Sequence, residues 1–210
     1  MIVKVCGMKD PDNIKAVAEL GIDWMGFIFY EKSPRYIDLS RPAPPAGGLK
    51  RVGVFVNAAF EQMTEAVSVN QLDFIQLHGE ESPELCHALQ KRDIFLIKAF
   101  PVSSAEDLAA TADYEGCADY FLFDTKCNSY GGSGKSFDWF ALAAYTGKTP
   151  FLLSGGINPQ SVEAVKQFRH PRFAGIDLNS GFETAPGMKD VLKLKQFLLS
   201  IQYEPHHLPI

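Results

Sequence analysis

The chain has no run approaching the roughly eighteen consecutive apolar residues that a membrane-spanning helix needs. Its opening, MIVKVCGMKD, meets charge and glycine before a signal-peptide core can develop. Cysteine is scarce. The four present, Cys6, Cys86, Cys117 and Cys127, are too far apart for a CxxC or zinc-ribbon pattern, which argues against a disulfide scaffold and against a metal site. An excess of positive charge is also lacking: 20 Lys and Arg against 25 Asp and Glu leave a net charge of -5, with no general attraction to nucleic acid. These absences predict a soluble protein of a reducing compartment, the cytoplasm, with neither membrane nor nucleic acid as partner.

What is present is ordinary globular composition, 46% hydrophobic and 21% charged over 210 residues, which is enough for one well-cored domain. Eight short β-branched or aromatic runs recur along it: IVKVC, DWMGFIF, RVGVFV, DFIQL, IFLIKAF, DYFLFD, PFLLS and RFAGID. Between most of them apolar residues fall at helical spacing, as in Ile14, Val17 and Ala18, in Phe60, Met63, Thr64 and Val67, and in Leu192, Leu194, Phe197 and Leu198. The strand runs are apolar on both faces and lack hairpin turns, as in a parallel sheet covered by helices. Eight such units predict an α/β fold closed into a single (β/α)8 TIM barrel over residues 1–202, since closure leaves no exposed edge where an open doubly wound sheet would. In the second unit SRPAPPAGG replaces the amphipathic run, so helix two is expected to be truncated or absent. The tail, YEPHHLPI (203–210), has no periodicity, and its His206 and His207 read as a frayed end rather than as metal ligands.

In such a barrel the chemistry lies where the strands end. The residues there are Cys6, Arg35 in SPR, Asn57, His78, Asp124, Ser154-Gly155-Gly156, and Asp177 with Asn179-Ser180-Gly181. LSGGINPQSV puts Gly155 and Gly156 between a strand and a helix, where backbone N–H groups and the helix dipole can receive a phosphate dianion, and Ser180 and Gly181 stand at the corresponding place in the next unit. The bland alternative is a pair of tight turns. SYGGSGKSFDW (129–139) lacks Walker spacing and fits a loop that closes over substrate, with Lys135 either on a phosphate or solvated.

Cys6 and Asp124 are the candidate acid–base pair. Lys4 lies two residues before Cys6 on the same strand face and can favour its thiolate, although a small buried hydrophobe is the commoner role of a cysteine. Asp124 ends an apolar run, where a carboxylate needs a partner or a task, or caps the following loop. Arg35 can clamp a carboxylate through two parallel hydrogen bonds or stand exposed without a fixed partner. His78 contacts substrate or satisfies a nearby backbone group. Cys86, Cys117 and Cys127 have no comparable context.

VKVCGMKDPDNI, FIFYEKSPRYI, VGVFVN, QLHGEE, FDT followed by GGSGKSFDW, LSGGINPQSV and GIDLNSGFETAPGMKD, in this order, resemble the phosphoribosylanthranilate isomerases. The resemblance runs from residue 2 to about residue 200. It implies an aldose-to-ketose isomerase of tryptophan biosynthesis that needs no cofactor and acts on a small phosphosugar, as a monomer. By the same resemblance Asp124 is the general acid that opens the ribose ring and Cys6 the general base at C2. Arg35 meets the anthranilate carboxylate, Asp177 lies near the ribose hydroxyls, and Gly155, Gly156, Ser180 and Gly181 hold the phosphate. Asn179 departs from the family pattern, where a second serine is frequent. The competing readings are another phosphosugar enzyme of this fold, such as an epimerase or the histidine-pathway isomerase, and a noncatalytic barrel that keeps only the phosphate turns.

Overall fold

A computed structural model of the chain describes residues 1–38, 43–125 and 139–202. Each of the eight apolar runs forms a strand: β1 (Ile2–Val5), β2 (Trp24–Ile28), β3 (Lys50–Phe55), β4 (Phe74–Leu77), β5 (Phe95–Val102), β6 (Tyr120–Thr125), β7 (Phe151–Ser154) and β8 (Phe173–Leu178). All neighbouring pairs are parallel, and β8 returns to pair with β1, so the sheet is a closed barrel. No helix among the described residues is long and apolar enough to cross a membrane.

The helices follow local signals. Helix α1 (Pro11–Ala18) starts where the Asp10 carboxylate accepts the Asn13 N–H at 2.8 Å, with Pro11 in the first turn where its missing donor costs nothing. Ile14 and Val17 then face the sheet and are fully buried. Helix α2 (Phe60–Asn70) buries Met63 and Ala66, and α3 (Pro83–Gln90) is capped by Ser82 and buries Cys86 and Leu89. In the last four units the coverage is less regular: 3₁₀ turns over Ala105–Tyr114, Trp139–Ala144 and Pro159–Ser161, then a short α4 (Val162–Gln167) and the closing α5 (Val191–Ser200). Leu194, Phe197 and Leu198 are buried as the spacing requires, whereas Leu192, expected with them, is 72% exposed. Its position just past the Asp190 cap turns it away from the sheet.

The described part of the β2–β3 connection contains no helix. Residues 43–46 are instead held from outside: Arg51 donates to the carbonyls of Pro44 at 2.9 Å and Ala43 at 3.1 Å, and Asn70 accepts the Ala43 N–H at 2.8 Å. These bonds satisfy backbone groups that a proline-broken helix would leave open.

Two apolar cores result, which is why the strand runs are continuous rather than alternating. Inside the barrel lie Trp24, Val52, Ile97, Ala99, Leu122 and Leu152. At its amino-terminal end Trp24 stacks on Phe74 (centroids 4.6 Å apart) and meets the edge of Tyr120 at 5.1 Å. Between sheet and helices lies the larger core, with Phe27, Phe55, Phe121, Phe123 and Phe151. This packing fills the lower barrel, and the cavity opens at the carboxyl ends of the strands.

The eight barrel strands lack hairpin turns, as expected, but one hairpin stands outside the barrel. After β8 the chain folds back as β9 (Glu183–Ala185) antiparallel to β10 (Met188–Lys189), turning at Pro186-Gly187, where Gly187 has φ +84°. The segments 126–138, with Cys127, Lys135 and all but the last residue of the glycine-rich loop, and 203–210, with His206 and His207, lie outside the described residues.

Candidate active site

A cavity of ≈ 300 Å³ opens at the carboxyl ends of the strands, lined by Cys6, Gln76, His78, Asp124, Ser154, Gly155, Gly156, Asp177, Asn179 and Ser180 among others. Cys6 and Asp124, far apart in sequence, thus share one space. Cys6 follows β1, where its N–H bonds the Leu178 carbonyl at 2.9 Å and its thiol packs over Gly26 of β2. A Cβ at Gly26 would sit 2.7 Å from the sulfur, so glycine there makes room for it. Cys6 is buried but faces the cavity, so its burial and its access to a ligand coexist.

Beneath Cys6, Lys4 is fully buried and pairs with Asp177 at 2.8 Å across the β1–β8 seam. Burial pushes the Cys6 thiol above its ordinary value and the Lys4 charge opposes this, with Asp177 adding to the rise. Burial lowers the Lys4 ammonium, yet the facing carboxylate and thiol carry it above the ordinary amine value. Burial likewise raises the Asp177 carboxyl, against the pull of Lys4. Asp177 spends only Oδ2 on Lys4. Its Oδ1, and Oε1 of Gln76, are buried acceptors without a hydrogen-bond partner, on two residues that line the cavity.

Asp124 and His78 each keep 36% of their side chains exposed, with His78 Nε2 3.5 Å from Asp124 Oδ2. The imidazole faces the carboxylate. The loop that carries His78 is itself braced: Glu81 accepts the N–H groups of Asn57 and Gly79, and the buried Lys98 reaches both Glu81, at 3.0 Å, and the Gly79 carbonyl, at 2.7 Å. Asn57 belongs to this bracing, accepting the Glu80 N–H at 2.7 Å.

Gly155 and Gly156 turn with φ +83° and +68°, the left-handed region, and Gly181 packs on the Ile157–Asn158 backbone, which brings the loops after β7 and β8 together. Ser180 lines the cavity, and Gly181, next to it, is not among the lining residues. The helix anticipated behind this turn begins as a 3₁₀ turn, and the Asn158 side chain already accepts the Gln160 N–H at 2.9 Å. The helix-dipole part of the anion argument is correspondingly weaker, and the glycine turn itself carries it.

Arg35 stands at the rim, outside the cavity lining. The Ser33 hydroxyl accepts its N–H at 3.1 Å, fixing the SPR turn. Its guanidinium is not free: Nε donates to Glu183 at 2.8 Å and Nη2 donates to the other Glu183 oxygen. Glu183 in turn accepts from the buried Lys189 at 2.5 Å and from the Gly187 N–H at 3.1 Å. Burial would raise the Glu183 carboxyl, but these donors hold it down at about 2. Among the described residues no group of three or more His, Cys, Asp or Glu side chains is arranged for a metal ion.

Residues 3–200 match the model of the N-(5'-phosphoribosyl)anthranilate isomerase family. The chain belongs to this family. It is an isomerase, of the phosphoribosylanthranilate isomerase family of tryptophan biosynthesis. A curated member from Parabacteroides distasonis is 59% identical over 206 residues, covering 96% of this chain and 93% of its own. The crystal structure of the isomerase from Thermotoga maritima superimposes with a TM-score of 0.82 at 37% identity, covering 96% of this chain and 99% of that one. A further family structure, 35% identical with a TM-score of 0.80 and covering 96% of this chain and 99% of its own, is a complex with reduced 1-(o-carboxyphenylamino)-1-deoxyribulose 5-phosphate.

The residues that sequence reasoning overlooked are Gln76, Glu183 and Lys189. Gln76 interrupts the apolar run FIQL at an inward position, a signal that was available. The Pro-Gly pair in ETAPGMK was a turn signal for the hairpin that carries Glu183 and Lys189.

Proposed function

We propose that this isomerase converts N-(5-phosphoribosyl)anthranilate into 1-(2-carboxyphenylamino)-1-deoxyribulose 5-phosphate by an Amadori rearrangement, within a single barrel of residues 1–202 and without a cofactor. The observation that carries this reading is the opening of Cys6 and Asp124 onto one cavity that also holds the Gly155-Gly156 turn. An aldose-to-ketose shift needs a proton donor at one end of a held substrate and an acceptor at the other.

In the proposed sequence the Asp124 carboxylic acid gives its proton to the ribose ring oxygen as the C1–O bond breaks, leaving a protonated Schiff base between C1 and the anthranilate nitrogen. The Cys6 thiolate then takes the C2 proton. The C–H electrons form the C1–C2 double bond of an enolamine, the iminium becomes an amine, and tautomerisation gives the C2 ketone. Its partial access to solvent suits Asp124 to exchanging protons, and the charge of Lys4 suits Cys6 to becoming a thiolate despite burial. The phosphate sits against Gly155, Gly156, Ser180 and Gly181, the anthranilate carboxylate meets Arg35, and His78 and Asp177 face the sugar. Holding both ends of the substrate supplies much of the remaining acceleration.

The test is a fluorescence assay on the purified chain, together with complementation of a tryptophan auxotroph that lacks this isomerase. Turnover of phosphoribosylanthranilate unaffected by a chelator is expected. Failure on this substrate, with turnover of another aldose phosphate, would overturn the assignment.

A further inference from the structure

Arg35 lies in a turn, and a long side chain there has many rotamers unless something selects one. Two features select it. Its stem crosses directly over Gly7, which has φ +75°: a Cβ on Gly7 would come 2.6 Å from Arg35 Cδ and 2.9 Å from Asn179 Oδ1. Its side-on edge, Nε and Nη2, is then taken by both oxygens of Glu183. A guanidinium has a second, end-on edge made by Nη1 and the outer hydrogen of Nη2. Nη1 has no hydrogen-bond partner among the described residues.

The charges point the same way. Glu183 is a single carboxylate shared by Arg35 and Lys189. Lys189 is fully enclosed and tied to Asn179 at 2.8 Å, and its N–H and C=O are clasped by Asn13 of α1, each at 2.8 Å. Its ammonium has nowhere else to turn. The positive charge in excess therefore resides on Arg35, whose side chain is 19% exposed beside the cavity mouth. A planar fork with one edge anchored and the other offered is the arrangement that a planar carboxylate recognises.

We propose that Glu183, itself held by Lys189 and the Gly187 N–H, is a positioning residue that fixes the Arg35 guanidinium so that its end-on edge receives the carboxylate of the ligand's aromatic ring. This rests on the reading of Arg35 as the contact for that carboxylate. Glu183 touches no reacting atom, so its loss acts on recognition of the ring carboxylate and leaves recognition of the phosphosugar portion intact.

The test uses two probes, reduced 1-(o-carboxyphenylamino)-1-deoxyribulose 5-phosphate and the same molecule without the ring carboxyl, with dissociation constants measured by calorimetry on the full chain. The unmodified protein is expected to prefer the carboxylated probe by at least about tenfold, the worth of one good charge-assisted pair. Arg35→Ala abolishes that preference. Glu183→Gln removes most of it while changing affinity for the carboxyl-free probe less than about twofold, and the double variant shows no further loss, as expected of two residues acting as one unit. Because Glu183→Gln leaves the buried Lys189 without its carboxylate, Glu183→Gln with Lys189→Met is the companion variant, and it shows the same loss of preference.

Should Arg35→Ala keep the preference, the clamp reading falls and the proposal falls with it. Should Arg35→Ala lose the preference while the Glu183 variants retain it, the clamp stands and the positioning role alone is overturned. Equal weakening of both probes in the Glu183 variants also overturns it, since that is the mark of a merely structural residue.

Discussion

Lys4 Nζ lies 2.8 Å from Asp177 Oδ2, with both side chains buried, directly beneath the cavity that Cys6 faces. The charges around the thiol are Lys4 and Lys189, which favour the thiolate, and Asp177, which opposes it. Arg35 also lies within electrostatic reach. The net effect, led by burial, is a thiol above its ordinary value, so kcat/KM is expected to rise with pH as Cys6 loses its proton. Removing the Lys4 charge takes away an influence that lowers the thiol value. Compared with Asp177→Asn alone, the double variant Lys4→Met with Asp177→Asn, which avoids a lone buried carboxylate, is therefore expected to move that limb to higher pH and to slow turnover near neutrality. A pH–rate profile with the limb unmoved in a folded variant would remove Lys4 from this role.

Cys6→Ala and Asp124→Asn are each expected to lower kcat by at least about a hundredfold, the usual size of a lost general acid or base. Neither should alter the thermal unfolding midpoint greatly. Cys6→Ala leaves a small apolar group over Gly26, and Asp124 is partly exposed. Steady-state kinetics and calorimetry on the same preparations check both halves.

Gly156→Ala tests the anion turn. At φ +68° a side chain is strained by about 1–2 kcal/mol, so a lower unfolding midpoint is expected. A weaker affinity for phosphosugars should accompany it. Unchanged binding of a phosphorylated ligand would show that the phosphate is held elsewhere.

Trp24→Ala separates scaffold from site. The indole is buried at the amino-terminal end of the barrel interior, stacked on Phe74, on the far side of the packed layers from the cavity. Its truncation should cost about 3–5 kcal/mol in chemical denaturation, with KM unaltered in the protein that remains folded.

Glu183 also makes an acid-stability prediction. Its carboxyl is held at about 2, below the ordinary 4.5, by Arg35 and Lys189. A depressed carboxyl contributes stability in full above its unfolded value, and that contribution fades as pH falls toward the folded one. Stability measured from pH 5 down to about 2 should therefore decline less steeply in Glu183→Gln.

The barrel was legible because its determinants are local. Apolar runs such as DYFLF and PFLLS, separated by helical spacing, specify strands buried on both faces, and caps such as Asp10-Pro11 and Ser82-Pro83 mark where helices start. The cavity residues were legible because a parallel barrel delivers every strand end to one face. What the sequence concealed depends on partners distant along the chain. Nothing local announces that Lys98 will be buried on Glu81, that Arg51 and Asn70 will replace helix two as the support of residues 43–46, or that Arg35 will share Glu183 with Lys189. The departure of Leu192 has the same character, since periodicity gives the spacing of a face but not the residue at which the helix begins to use it.

The clasp between Asn13 and Lys189 joins positions 176 residues apart. During synthesis the first helix leaves the ribosome long before the hairpin that must fasten it, and Arg35 precedes Glu183 by 148 residues. A nascent chain carrying all the earlier strands would hold Cys6 and Asp124 yet lack the groups that orient its rim. On the proposed reading, recognition of the ring carboxylate is thereby completed only once the hairpin that carries Glu183 and Lys189 has been made.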